Sequence, residues 1–229
     1  MRVALVENMA LTHHGQVGVA LHEAGALIEV LRPFAGQSLP DLGAFDAVVV
    51  FGGEQSARDD VAHPYLPRLA EVLRAAAEAG QPVLGICLGA QILARGYGAQ
   101  NLIGGSREFG WTPVTLTGAG RRDPVLAAAG ARFCSFEWHS DSFSLPEGAV
   151  HLARSGAVEQ QAFRVGRAGY GMQFHFEANG AVVSDWVQRF PAAVDAMDPA
   201  FRSSRHHADA ATDRAGLALA RAFVALARR

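Results

Sequence analysis

Apolar positions along the chain fall into short runs that alternate with stretches of helical spacing. Residues 3–6 form a short apolar run that ends at Glu7-Asn8, and residues 15–24 follow with helical character, closed by Gly25. Residues 26–31 predict a second strand, and Pro33, Gly36 and Pro40 mark a loop. Residues 46–51 (DAVVVF) are the cleanest buried strand and run into Gly52-Gly53. Residues 58–66 read as a polar loop. Residues 66–79 then put Leu69, Val72, Leu73 and Ala76 on one helical face, with Gly80 where a C-terminal cap belongs. Residues 81–84 predict another buried strand, and residues 88–95 a helix carrying Leu88, Ile92 and Leu93. Strands alternating with helices predict an α/β fold, an open and mostly parallel sheet with helices on both faces. Ligands of such sheets bind beyond the carboxyl ends of the strands. Gly52-Gly53 and the turn at 85–89 therefore share one rim.

From Asn101 onward the texture changes. Glycines and prolines become frequent, and β-prone runs at 111–117, 131–136, 150–154, 161–165 and 169–174 predict antiparallel or mixed strands laid at the edge of the parallel sheet. Residues 182–189 predict a helix, Pro191 and Pro199 break the chain, and residues 208–229 predict an alanine-rich helix with Leu217, Leu219, Phe223 and Leu226. Residues 1–192 read as one domain and 193–229 as its helical extension.

Composition narrows the function classes. The 229 residues carry a formal net charge of −2, which gives no electrostatic case for nucleic acid or an anionic membrane. All 20 basic residues are arginine, so lysine Schiff-base and P-loop chemistry are excluded. Two cysteines, Cys87 and Cys134, are too few for a disulfide framework. The N-terminus lacks signal-peptide shape, and no apolar run approaches the length of a membrane span. The expected location is cytoplasmic, where a reactive thiol stays reduced. Nothing in the pattern calls for a metal or cofactor, and Cys134 is expected in the core.

The turn Gly85-Ile86-Cys87-Leu88-Gly89 holds a cysteine at the corner between a strand and a helix. That is a nucleophile elbow with sulfur in place of oxygen. The glycines suit a corner with no room for Cβ atoms, or one that needs unusual φ. The helix start supplies unpaired N–H groups and partial positive charge, which favour thiolate over thiol. The alternative is a small buried residue filling a gap. A cysteine nucleophile needs a base, and the base needs an orienting group. In Gly171-Met172-Gln173-Phe174-His175-Phe176-Glu177, an extended strand would point His175 and Glu177 to the same side. Taken alone, such a pair is equally a surface feature of no consequence. Acyl chemistry also needs oxyanion donors, each worth about 3–4 kcal/mol to the transition state. The N–H groups of Leu88 and Gly53 are the candidates, although Gly52-Gly53 alone is also just a turn.

GICLG with Gln91, the strand ending in Gly52-Gly53, and QFHFE at 173–177, in that order, resemble the class I glutamine amidotransferase domain over about residues 1–190. The free-standing, GMP-synthase-like members are more similar still. They share the patterns seen here as Asp60 with His63-Pro64-Tyr65-Leu66, Glu108 with Gly110-Trp111, and Trp138-His139 with Asp141, Phe143, Leu145 and Pro146. The resemblance implies a flavodoxin-like fold. It implies that Cys87 attacks the γ-carboxamide of glutamine or of a γ-glutamyl compound, that His175 moves the proton and that Glu177 orients it. It further implies that Gly53 and Leu88 hold the oxyanion, that Gln91 positions substrate, and that the segment with His139 and Asp141 walls the site. For the last two residues a structural turn is an equal expectation. Phe176 replaces the proline usual between the His and Glu, and Glu54 puts an unexpected carboxylate near the oxyanion site. Three readings stay open: a glutaminase feeding ammonia to a separate, ammonia-accepting synthase; a free-standing γ-glutamyl peptidase or hydrolase; and a non-catalytic regulatory protein on the same fold.

Overall fold

The computed structural model describes residues 1–201 and 210–228. The first half runs β1 (Arg2–Val6), α1 (Gly15–Glu23), β2 (Leu27–Leu31), β3 (Ala47–Val50), α2 (Leu66–Glu78), β4 (Val83–Ile86) and α3 (Leu88–Gly96). The second half adds β5 (Asn101–Leu102), β6 (Glu108–Leu116), β7 (Arg132–His139), β8 (Ser142–Phe143), β9 (Val150–Arg154), β10 (Ala162–Val165) and β11 (Gly169–Met172). Three helices, α4 (Gly180–Arg189), α5 (Pro191–Met197) and α6 (Ala210–Ala227), follow. Among the described residues, nine strands form one sheet in the order β2-β1-β3-β4-β11-β10-β9-β6-β7, and β5 pairs with β8 in a small antiparallel sheet. The first five are parallel; the pairings from β11 to β10 and onward to β7 are antiparallel.

Strand alternation assigns the two faces. Val3, Leu5, Val49, Leu84, Ile86 and Met172 pack with Val17 and Leu21 of α1 and with Leu219 and Phe223 of α6. Their sequence neighbours Ala4, Val6, Val48, Val50 and Val83 pack against Leu69 and Leu73 of α2 and Ile92 and Leu93 of α3. Complete burial of strand residues on both faces explains why these runs are continuously apolar instead of alternating. A third, aromatic cluster joins Phe136 of β7 to Val183 and Trp186 of α4, Val194 of α5 and Phe201. No helix among the described residues is long and apolar enough to cross a membrane.

Several expectations shift. Pro191 does not break the chain; it begins α5 as an N-terminal helix residue, where its missing N–H costs nothing. Strand β11 stops at Met172, so His175 and Glu177 lie in a turn beyond it instead of along an extended strand. Cys134 is half-buried on β7 and not in the core. Residues 208, 209 and 229 of the expected tail helix lie outside the described residues. The rest of that helix packs on α1 and β7 of this same chain.

Candidate active site

Cys87 sits at the carboxyl end of β4, and its backbone has φ 53° and ψ −110°. Among the described residues it is the one non-glycine with positive φ. Such a conformation costs about 1–3 kcal/mol and persists only when the surroundings enforce it. The enforcement is visible. The Cys87 N–H donates to Met172 O of β11 at 2.8 Å, and its carbonyl accepts from the Ala90 and Gln91 N–H groups as α3 begins. The flanking glycines serve close approach, not unusual φ. A Cβ on Gly85 would lie 2.3 Å from the Gly89 carbonyl oxygen, and one on Gly89 would lie 2.1 Å from that of Val50. Helix α3 can thus start directly against the sheet, and the sulfur is carried over the rim. Leu88 is its first residue, so its N–H belongs to the first turn, which has no carbonyl behind it to bond.

Opposite the sulfur stands His175. Its Nδ1 lies 2.7 Å from Glu177 Oε1, and both residues are buried. Burial by itself would lower the His175 pKa. The Glu177 carboxylate, together with charge and hydrogen bonding to the neighbouring Cys87 sulfur, outweighs that and raises it well above the ordinary value. The imidazole is fixed on several sides. The His175 backbone N–H donates to Phe136 O of β7 at 2.8 Å, and the ring meets Trp186 edge-on at 5.2 Å. Gly52 closes the gap: a Cβ there would come 3.1 Å from His175 Cε1 and 3.9 Å from Cys87 Sγ. The Glu177 main chain is pinned by the Gln16 N–H at 2.8 Å, through the bare Gly15 whose Cβ would meet Glu177 O at 1.9 Å. Phe176 is buried among Ala215, Leu219 and the rest of that face's core. Its carbonyl oxygen lies 2.2 Å from where Gly216 of α6 would carry a Cβ. The residue in the place of the usual proline is therefore packed under α6.

Gly53 has no room for a side chain: a Cβ would meet Gln55 Oε1 at 2.5 Å and Asn8 Cβ at 2.9 Å. Asn8 follows β1 and ties the rim together. Its Nδ2 donates to Phe51 O at 2.7 Å, its Oδ1 accepts from the Tyr65 hydroxyl, and its carbonyl accepts from Gln55 Nε2. Asp60 forms a two-pronged pair with Arg95 of α3 at 2.6 and 2.7 Å. The 60–66 pattern thus braces the loop after Gly52-Gly53 against the helix that presents Cys87.

Gln91 and the 138–141 segment behave as one unit. Gln91 Nε2 donates to Asp141 O and to Gln173 Oε1, each at 3.1 Å. Asp141 Oδ1 accepts from the Gly104 N–H at 2.8 Å. The His139 ring is turned inward: Nδ1 donates to Asp141 O at 3.0 Å, while Nε2 faces Glu137 Oε2 at 3.3 Å and Glu108 Oε2 at 3.4 Å. These are ion pairs off the hydrogen-bond axis. Burial opposes charge on His139, but the two carboxylates prevail and raise its pKa to about 10. Burial raises Glu137 to about 7. The donor atoms of the three side chains lie within 4.8 Å of one another, a spacing that metal ligands also adopt. Their charges complement one another without an ion, since a doubly protonated imidazole faces two carboxyl groups. His139 and Asp141, expected at the substrate, wall the site while their side chains hold the segment in shape.

Two cavities meet at Cys87. The larger, about 260 Å³, is lined by His175, Glu177, Phe51, Trp138, Trp186 and Phe190 among others. The smaller, about 170 Å³, is lined by Gln91, Ser56, Leu88 and residues 138–141. Glu54 is exposed at the mouth of both. Of the aromatic lining, the sequence points to Trp138 alone. The Trp186 and Phe190 positions look like an ordinary helical stripe.

The family model for "Glutamine amidotransferase class-I" matches residues 16–188. The glutamine amidotransferase-like protein YfeJ of Salmonella typhimurium is 34% identical over 192 residues, covering 82% of this chain and 80% of its own. A glutamine-hydrolyzing GMP synthase subunit of Methanosarcina acetivorans is 29% identical over 58% of this chain and 65% of its own. The crystal structure of a glutamine amidotransferase from Thermotoga maritima superimposes with a TM-score of 0.84 at 24% identity, over 100% of this chain and 98% of that one; it speaks to the fold.

Proposed function

Since the chain belongs to the class I glutamine amidotransferase family, we propose that it is a thiol-dependent amide hydrolase with Cys87 as nucleophile, His175 as acid–base group and Glu177 as the carboxylate that orients it. The observation that carries this is the buried 2.7 Å His175–Glu177 pair facing a cysteine held in a strained backbone. Cys87 Sγ attacks the γ-carbonyl carbon of glutamine or another γ-glutamyl amide. The thiol proton passes to His175 Nε2 and then to the leaving nitrogen, so the C–N bond breaks as a γ-glutamyl thioester remains. Water opens the thioester, and its proton returns through His175 to sulfur. The Leu88 and Gly53 N–H groups receive the oxyanion. Gln91 acts on the substrate side by bracing segment 138–141. Glu54, exposed at the mouth, is placed to meet the α-ammonium of the glutamyl group.

The test is covalent. A glutamine-like electrophile such as 6-diazo-5-oxo-norleucine should label Cys87 much faster than Cys134, and Cys87→Ala should remove both labelling and release of glutamate from glutamine. Release that survives in Cys87→Ala would sink the assignment. The likeness to the Methanosarcina protein favours a second reading, a glutaminase that hands ammonia to a separate synthase. It predicts slow turnover alone and stimulation by that partner.

A further inference from the structure

The two cavities at Cys87 differ in what they can hold, and chemistry assigns them. The proton that leaves with the amine comes from His175, so the departing nitrogen must lie on the imidazole side of the sulfur. His175 and Glu177 line the larger cavity and not the smaller. The glutamyl part then occupies the smaller cavity, among Gln91, Ser56 and the 138–141 backbone. Ammonia would fill a small fraction of the 260 Å³ on the other side. An apolar cavity of roughly 150 Å³ is enough for benzene. The walls there are Leu11, Phe51, Trp138, Trp186 and Phe190, with Ala193 of α5 at the edge. Helices α4 and α5 thus contribute Trp186 and Ala193 to its lining. The charge pattern narrows the choice further. Among the described residues no arginine lines this cavity, His175 is paired with Glu177 and His13 with Asp185, so a carboxylate on the leaving group would find no unpaired cation there and would sit near Glu54.

We propose that the substrate class of this site is the γ-glutamyl amide of an aromatic or arylalkyl amine with no carboxylate of its own. The proposal rests on the thiol mechanism above and gives it a leaving group: the Sγ–C bond forms, the C–N bond to the amine breaks, and His175 supplies the amine's proton. Four compounds separate the possibilities: glutamine, γ-glutamylmethylamide, γ-glutamylphenethylamide and γ-glutamylphenylalanine. The last two differ in the carboxylate alone. The phenethylamide should exceed the methylamide in kcat/KM by at least about tenfold, from burial of the ring, and should exceed γ-glutamylphenylalanine as well. Ala193→Trp, which fills the cavity from its edge, should reduce the phenethylamide-to-glutamine ratio by about tenfold. Labelling of Cys87 by 6-diazo-5-oxo-norleucine in that variant verifies that it is folded. Equal or faster cleavage of glutamine and the methylamide by the wild-type protein would overturn the proposed substrate class while leaving the thiol mechanism in place. A ratio unchanged in a labelled Ala193→Trp protein would overturn the assignment of the cavity. No turnover of any compound together with no labelling of Cys87 would bring down the mechanism and this inference with it.

Discussion

Two histidines a short distance apart are held by carboxylates in opposite ways, and the difference decides what each can do. His175 has one carboxylate behind it and the sulfur in front; His139 has carboxylates at one nitrogen and a carbonyl at the other. The first can pass a proton on, and the second is locked as a cation. Replacing His175 by Ala should cost about 10²–10⁴-fold in kcat, the usual worth of a positioned acid–base group. Glu177→Gln should cost less, because it keeps the turn and removes the orienting charge; equal losses would mean the carboxylate does more than orient. Loss of His139 should instead be read in stability. His139→Gln leaves two buried carboxyl groups without their cation, a change of about 3–5 kcal/mol in chemical unfolding. The pH dependence has a definite sign. Both Glu137, with its pKa raised to about 7, and His139, raised to about 10, hold protons in the folded state that the unfolded chain releases. The cluster's contribution is therefore full only below the ordinary carboxylate value of 4.5. It declines as pH rises through about 7 and again through about 10. Urea titrations at pH 5, 7 and 9 should show wild-type stability falling as pH rises.

Secondary-structure elements position these groups more than loops do. The turn holding His175 and Glu177 is gripped by the start of α1 through Gly15 and Gln16, by α6 through Gly216, and by β7 through Phe136. Gly216→Val should displace the Phe176 carbonyl and with it the Glu177 carboxylate. We expect kcat to fall about 10- to 100-fold while the far-UV spectrum stays native, a rise in activation free energy of about 1.4–2.7 kcal/mol. Much of this was legible in the residues. Continuous apolar runs gave strands buried on both faces, and the cysteine corner could be placed because Gly85 and Gly89 admit nothing larger. The geometry of the His–Glu pair was not legible, because period-2 logic assumes a strand and β11 ends at Met172. Helix α5 was hidden for a related reason: Pro191 breaks a helix from within but starts one at its first residue. The role of Gly216 lies in contacts with a turn about forty residues earlier, which no local pattern records.

At the scale of the whole molecule, the sheet is parallel from β2 to β11 and antiparallel from β10 to β7. The parallel half delivers Asn8, Gly53, Cys87 and His175 to one rim, and the antiparallel half curls β7 round to add Trp138 and the His139 cluster. The site is thus a seam between halves, and its occupation should stiffen both. Covalent trapping of Cys87 should raise the melting temperature and slow amide exchange in β7 and α4 as well as in α3; protection confined to α3 would mean the halves are not coupled there. The left-handed backbone at position 87 has one more consequence. Glycine adopts that conformation freely, so Cys87→Gly should relieve strain and stabilise the fold by about 1 kcal/mol after the entropy of glycine is counted, while erasing turnover. A protein that only bound or regulated would gain by exchanging the whole CH2SH side chain for a hydrogen atom. The chain instead bears a standing thermodynamic handicap at one residue, in keeping with the nucleophile role proposed for it.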